Sequence, residues 1–398
     1  MKKGLLLSVA AATLMASVTS LNALTFEESI KDGKFSANMR TFYFDRSFDA
    51  PGVDNATALT FGGIMKYETG DYNGLKIGFA YYGSQRIGGM FTKAEGVGTS
   101  LLERGTGENL GFLGEAYLQY TLANTMVKVG RQQLSTPLIQ NHDLRILPSV
   151  YEAAIVRNKD IPGTMIELGY VTAYTGFTSK DNDFLDQNTN WGEDGLAYLS
   201  FSNKSVKNLS IRGQYVLAVS DTDKTGATIK VTDYRYLDAK YSLPFGDKTY
   251  IKAQYGGNAY SVGDDSMLIG AKVGTTFADM LDVAVLFDQI SDNSFKAVES
   301  GPMYSDWQQG YGNYEASTAI GAQLVARPLD GLSLKVGYVD VSADEGNLRD
   351  DFSEFNFDGK YAINSWSKIR VRYSIKDQTD TSSREDRNDF RVIYYTNF

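Results

Sequence analysis

Lys368, Arg370 and Arg372 stand two residues apart in the run Ser367-Lys368-Ile369-Arg370-Val371-Arg372-Tyr373. On an extended strand, residues two apart share a face with about 6.5 Å between rungs. The three cations therefore stack on one side, and Ile369, Val371 and Tyr373 line the other. Like charges stacked this closely are costly unless an anion uses them. Lys335, Lys360, Lys376 and Arg391 take matching positions in neighbouring runs, so the same wall gathers a basic ladder in a chain of formal charge −9. Such a stripe attracts and guides anions and carboxylates.

A second constellation lies in 134–149, where Ser135-Thr136-Pro137 leads to His142-Asp143-Leu144-Arg145-Ile146-Leu147-Pro148. The segment mixes charge with apolar residues, unlike a solvated loop, and is expected to fold inward as a constriction. Asp143 and Glu152 would then face the basic ladder across a gap, presenting both signs to a solute. Alternatively, Asp143 and Arg145 pair and simply pin the segment. His142, the single histidine, reads as a polar loop residue. One histidine excludes clustered histidine metal sites and most histidine-dependent catalysis. Asp221-Thr222-Asp223 with Gly226 lacks the closing glutamate of a calcium loop. Neither a phosphate loop nor a Ser/His/Asp set is present, so no cofactor, metal or nucleic acid partner is expected.

The elements that carry these residues alternate apolar and polar with period two from end to end. Leu75-Lys76-Ile77-Gly78-Phe79-Ala80-Tyr81 is one such run, and Leu209, Ile211, Gly213, Tyr215 and Leu217 alternate with Ser210, Arg212 and Gln214 in another. Runs of about ten residues cross a bilayer as tilted strands. Eighteen are found: 35–44, 59–69, 74–83, 114–122, 125–132, 150–157, 164–174, 195–202, 209–218, 233–242, 249–257, 266–275, 280–289, 315–326, 331–341, 353–362, 366–376 and 389–398. Short connections rich in turn residues (70–73, 123–124, 158–163, 203–208, 243–248, 276–279, 327–330, 363–365) alternate strictly with longer polar ones. The longest of these are 84–113, 133–149, 175–194 and 290–314, and 290–314 is a further segment able to fold inward. Short turns facing long loops mark outer-membrane barrels, and an even strand number puts both termini on the periplasmic side. Phe390, Val392, Tyr394, Thr396 and Phe398 share one face of the last run, which ends on an aromatic suited to the periplasmic girdle. Thr25-Phe26-Glu27-Glu28 reads as a capping box opening a short helix over 25–32.

Lys2 and Lys3 precede an apolar stretch from Leu5 to Met15, then small residues up to Ala23. Residues 1–23 have the layout of a signal peptide. Its removal takes two lysines and no acid, moving the formal charge from −9 to −11. Beyond it no stretch of eighteen apolar residues occurs. With no composition break, residues 24–398 read as one domain. The fold class is all-β: a transmembrane antiparallel β-barrel of eighteen strands with an inward-folded constriction loop. Its lipid-facing positions look uniformly apolar and show no interface stripe.

Arg40-Thr41-Phe42-Tyr43-Phe44-Asp45-Arg46 resembles the first-strand signature of the OprD family of substrate-specific outer-membrane porins. Val129-Gly130-Arg131-Gln132, Pro137 and Asp143-Leu144-Arg145-Ile146-Leu147-Pro148-Ser149-Val150-Tyr151-Glu152 are similar to its third-loop signature, with Ala153 where the family tends to have Gly and His142 where it often has Ser. The leader and Phe35-Ser36-Ala37-Asn38-Met39-Arg40 suggest the branch found in epsilon-type proteobacteria. The resemblance implies a barrel, monomeric or weakly trimeric, set among outer-membrane lipid and lipopolysaccharide, with an arginine-rich ladder and constriction by inward loops. It also implies passive uptake of small carboxylate-bearing solutes such as amino acids, without enzymatic activity. An adhesin or structural barrel with a plugged lumen is the alternative, and a barrel hydrolase a more remote one.

Overall fold

The structure is a computed structural model. It describes residues 25–49, 51–88, 98–103, 106–141, 144–176, 191–223, 226–244, 248–299, 301–308, 315–344, 351–378 and 386–398. The expected leader, His142 and Asp143 lie outside the described residues.

A short helix, α1 (Phe26–Lys31), precedes the strands. Its start carries the expected capping box: the Thr25 hydroxyl accepts from the Glu28 amide, and the Glu28 carboxylate accepts from the Thr25 amide. The Gly70 amide donates to the Ser29 carbonyl at 2.7 Å, tying α1 to the connection 69–74.

Eighteen strands follow: β1 (Lys34–Phe48), β2 (Ala56–Glu68), β3 (Leu75–Arg86), β4 (Leu110–Leu122), β5 (Thr125–Gln132) and β6 (Val150–Asn158). Next come β7 (Thr164–Thr175), β8 (Leu196–Asn203), β9 (Leu209–Ala218), β10 (Val231–Ser242), β11 (Tyr250–Tyr260) and β12 (Ser266–Phe277). The sheet finishes with β13 (Leu281–Asp292), β14 (Ser317–Ala326), β15 (Leu332–Ala343), β16 (Phe352–Ala362), β17 (Ser367–Gln378) and β18 (Arg387–Asn397). Each strand pairs antiparallel with its sequence neighbours, and β1 also pairs with β18, so the sheet closes. All eighteen expected runs are strands, with limits shifted by a few residues.

Closure satisfies every strand edge, which is the condition for a sheet to stand in lipid. Side chains sort by parity. Phe79, Leu118, Leu199, Val285 and Ile320 stand exposed on the outer face. The packed interior lies inside the barrel, where two buried clusters join wall residues to inward loops. Leu134, Leu138 and Ile139 meet Tyr151, Val171, Phe295 and Met303 in one, and Ile146 and Leu147 meet Phe42, Phe44 and Ile393 in the other. Residues 134–139 thus join one cluster and residues 146–147 the other. Each fully buried aliphatic side chain stabilises that docking by about 1.5–3 kcal/mol.

Candidate functional site

The basic ladder lies where parity puts it, on the inner faces of β15 to β18. Cross-strand register aligns Lys335, Asp358, Arg372, Arg391 and Phe44 in one row. A second row joins Lys360 to Arg370, and a third joins Lys368, Tyr395 and Arg40. The wall is not purely cationic, because carboxylates interleave with the ladder. Arg370 holds Asp358 through two bonds, at 2.8 and 2.5 Å, and Lys360 stands 4.0 Å from the same carboxylate. Asp389 is clasped by Arg46 at 2.6 and 2.8 Å and by Arg391 at 2.5 Å. Much of the ladder's charge is therefore neutralised locally.

Arg372 and Arg391 differ from the rest. Their side chains are only 5% and 1% exposed. In both, Nε and one terminal nitrogen are buried and lack a hydrogen-bond partner among the described residues. Leaving such donors unmet costs about 1–3 kcal/mol each, and the nearest carboxylate to Arg372 Nε, that of Asp358, stands 3.8 Å away. The Arg391 guanidinium lies over the Phe44 ring at 4.4 Å.

Segment 133–149 brings Arg145 against this row. Its guanidinium lies 5.4 Å from the Phe44 ring centre, and Arg40 donates to its carbonyl at 2.5 Å. Burial first, then the neighbouring Arg391 and Arg46, weakens the hold of Arg145 on its proton, with Asp389 acting oppositely. Arginine stays charged even so. Arg145, expected on the constriction, thus joins the basic wall itself.

Glu152 is a correction to the expected constriction. It shares a face with Ala154 and the exposed Val156, turned away from the lumen, and bonds Arg131 at 2.8 Å. The parity set by Val129 and Val156 carried that signal. Arg40, Arg46, Asp358 and Asp389 also belong to the site, and inward parity on β1, β16 and β18 marks all four.

A second inward stretch, 293–299 and 301–308, completes the narrowing. Asp288 accepts from the Ser305 amide at 2.8 Å and from its hydroxyl at 2.5 Å. The Trp307 ring rests where a Cβ on Gly337 would come within 2.4 Å of it, so only glycine fits that rung of β15. Lys335 stands 5.2 Å from the same ring. The Val298 and Glu299 amides donate to the Leu138 carbonyl at 3.0 and 3.3 Å, joining the two inward segments. Tyr174 donates to the Glu299 carboxylate.

A closed barrel with a charged, loop-narrowed lumen is the form of a channel. The sequence profile described as outer membrane porin, OprD family, matches residues 27–276. The chain belongs to the OprD family of outer-membrane porins. No curated protein matches it. Among solved structures, this OprD-family chain is similar to Acinetobacter baumannii OccAB3 (TM-score 0.78, 18% identity, covering 93% of this chain and 100% of that one). It is also similar to Acinetobacter baumannii OccAB1 (TM-score 0.76, 15% identity, 93% and 97% covered). Pseudomonas aeruginosa OpdK, solved with vanillate, superposes with TM-score 0.76 at 14% identity, over 93% of this chain and 99% of that one. At such identities the likeness speaks for the fold.

Proposed function

We propose that this porin passes small anions, carboxylate-bearing solutes such as amino acids among them, by passive diffusion. In this reading both termini face the periplasm, residues 1–23 are a removed leader, and lipopolysaccharide surrounds the loop rim. The observation that carries it is the pair of buried guanidinium groups, Arg372 and Arg391, with donors lacking acceptors. A passing carboxylate supplies the missing oxygens while exchanging its own hydration shell, so attraction and ready release coexist. Arg145 adds positive potential at the same level, beside Arg391 and Arg46. Vanillate, the molecule in the OpdK structure, carries a carboxylate of the required kind.

Reversal potentials across a salt gradient in planar bilayers test this. The wild type should prefer anions, and Arg372→Gln with Arg391→Gln should bring the anion-to-cation permeability ratio several-fold closer to one. Arg370→Gln should change it much less, because Arg370 already spends Nε and one terminal nitrogen on Asp358. Cation preference in the wild type, or equal effects of all three substitutions, would refute the assignment. Absence of conductance steps would favour a plugged structural barrel.

A further inference from the structure

Three lysines stand side by side on the inner wall, away from the ladder. Cross-strand register places Lys240 of β10 opposite Lys252 of β11, and Lys252 opposite Lys272 of β12. They share the inward parity of Asp238, Gln254 and Gly270, which form the adjoining rung. β11 lies six strands from β17 in a sheet of eighteen, so the row faces the lumen a third of the way round from the guanidinium wall. It also lies lower. Lys252 is two residues beyond Tyr250, the start of β11, and Arg372 is five beyond Ser367, the start of β17. At about 3.3 Å per residue and a tilt of about 40°, these stand roughly 5 and 13 Å from the rim bearing the termini.

Like charges directly opposite on adjacent strands destabilise a sheet, and the wall compensates these three only weakly. None of the three ammonium groups forms an ion pair with a carboxylate among the described residues. Lys240 lies 4.7 Å from the Tyr250 ring and Lys252 5.2 Å from the Tyr304 ring, while Lys272 donates only to the Gln323 amide oxygen, at 3.3 Å. The nearby carboxylates are engaged elsewhere. Asp238 accepts from Arg212 at 2.6 and 3.2 Å, Asp282 from the Thr276 hydroxyl at 3.0 Å, and Asp288 from Gln254 and Ser305. Space is kept beside the row as well. Glycines flank Lys272 on its own face, and a Cβ would strike Tyr250 at Gly274, and Asp288 and Gln254 at Gly270. Tyr304, on the inward stretch 301–308, is 8% exposed, and its hydroxyl is buried without a hydrogen-bond partner among the described residues.

The chemistry of the row selects its ligand. A guanidinium presents a planar fork that matches a planar carboxylate, whereas an ammonium is a compact point charge on a flexible stem. Three such charges on strands about 4.8 Å apart can converge on one anion from three directions. A carboxylate offers them one charge and two oxygens in a plane. A phosphate group carries a charge of about −1.5 to −2 at neutral pH and three acceptor oxygens, one for each ammonium. Lipid headgroups do not reach the row, because it faces the lumen. We propose that Lys240, Lys252 and Lys272, with the Tyr304 hydroxyl as a further donor, bind a phosphate group, as inorganic phosphate or as a phosphomonoester. Passage of that anion rests on the channel function proposed for the barrel; its binding does not.

Phosphate itself is the probe. In planar bilayers carrying chloride current at matched ionic strength, millimolar inorganic phosphate or glycerol 3-phosphate should lower the wild-type conductance at least twofold, and acetate should not. Block by either phosphate supports the site. Lys252→Gln with Lys272→Gln should weaken the block at least tenfold, and Tyr304→Phe two- to threefold. Arg372→Gln with Arg391→Gln should leave the block in place while lowering anion preference, so the two walls fail separately. Equal block by acetate, no block by either phosphate, or a block that survives the lysine or the tyrosine substitutions overturns the proposal. Binding is also read without current. Folded protein in detergent, checked by heat-modifiable gel mobility, should broaden the phosphorus NMR line of inorganic phosphate, and the lysine variant should not. Equal broadening by both refutes the site even if the barrel is plugged. Should the double variant not fold, Lys252→Gln alone carries both measurements, with the block weakened at least threefold.

Discussion

At the residue scale, Glu299 couples the two inward segments to pH. Burial pushes its carboxyl up to about 7, and the Tyr174 hydrogen bond pulls it partly back. A carboxyl in the released segment titrates near the ordinary value of about 4.3. The docked state therefore binds the proton more tightly. Below about 4 both states are protonated and docking is at its strongest; between about 4 and 7 the released state ionises first, and docking weakens as pH rises. Conductance of single channels should accordingly increase, or become noisier, from pH 5 to pH 8. Glu299→Gln should flatten that dependence, and a wild-type record unchanged across the range would remove Glu299 from the account. The same scale shows where sequence reading stopped. Arg372 and Arg391 were visible as inward cations, because alternate residues of a strand share a face. That Asp358 and Asp389 neutralise their neighbours depended on cross-strand register, which the sequence leaves open. Glu152 was placed on the wrong face because its neighbourhood to the inward segment outweighed the parity of Val156.

At the scale of elements, the strands were legible nearly to their ends, since each must cross the same thickness of lipid and turn within a few residues. β5 and β9 coincide with their expected runs, and β4 starts earlier than expected, at Leu110. The inward segments were legible only in part. Their mixed composition announced burial, but the partners are remote: Phe44 receives Arg145, and Leu138 meets Val298. Segment 133–149 is held mainly by Leu138, Ile139, Ile146 and Leu147, all fully buried. Truncating Ile146 and Leu147 to Ala together should cost about 2–5 kcal/mol each in docking. The barrel should stay folded while the segment becomes open to protease and the pore widens. Limited proteolysis of folded protein, read beside its conductance, checks this. Intact segments with unchanged conductance would mean that other contacts hold the loop.

At the scale of the whole molecule, closure is a single seam. β1 and β18 pair in register from Asn38 opposite Asn397 to Phe48 opposite Arg387. Beyond that ladder, Ala37 and Phe398 exchange both backbone hydrogen bonds, at 3.1 and 2.9 Å. Trp366 stacks on Phe398 with ring centres 6.1 Å apart. Removing Asn397 and Phe398 should slow closure more than it weakens the closed barrel. The folded band in refolding from urea into detergent should then appear several-fold more slowly, with little change in its melting temperature. Equal refolding rates would place the critical contacts elsewhere along the seam. Strand count and closure could be anticipated because alternating short and long connections leave few other topologies for a bilayer.

The backbone bonds between Leu138 and residues 298 and 299 carry a consequence for the electrical record of the pore. Two obstructions that share hydrogen bonds move along one common coordinate rather than two. Their fluctuations are then correlated, and the current should sample a single partly blocked level with one lifetime instead of the product of two independent flickers. A solute that displaces one obstruction loosens the other, so that successive transits are briefly linked and the pore retains, for as long as those bonds stay open, a trace of the last molecule that passed.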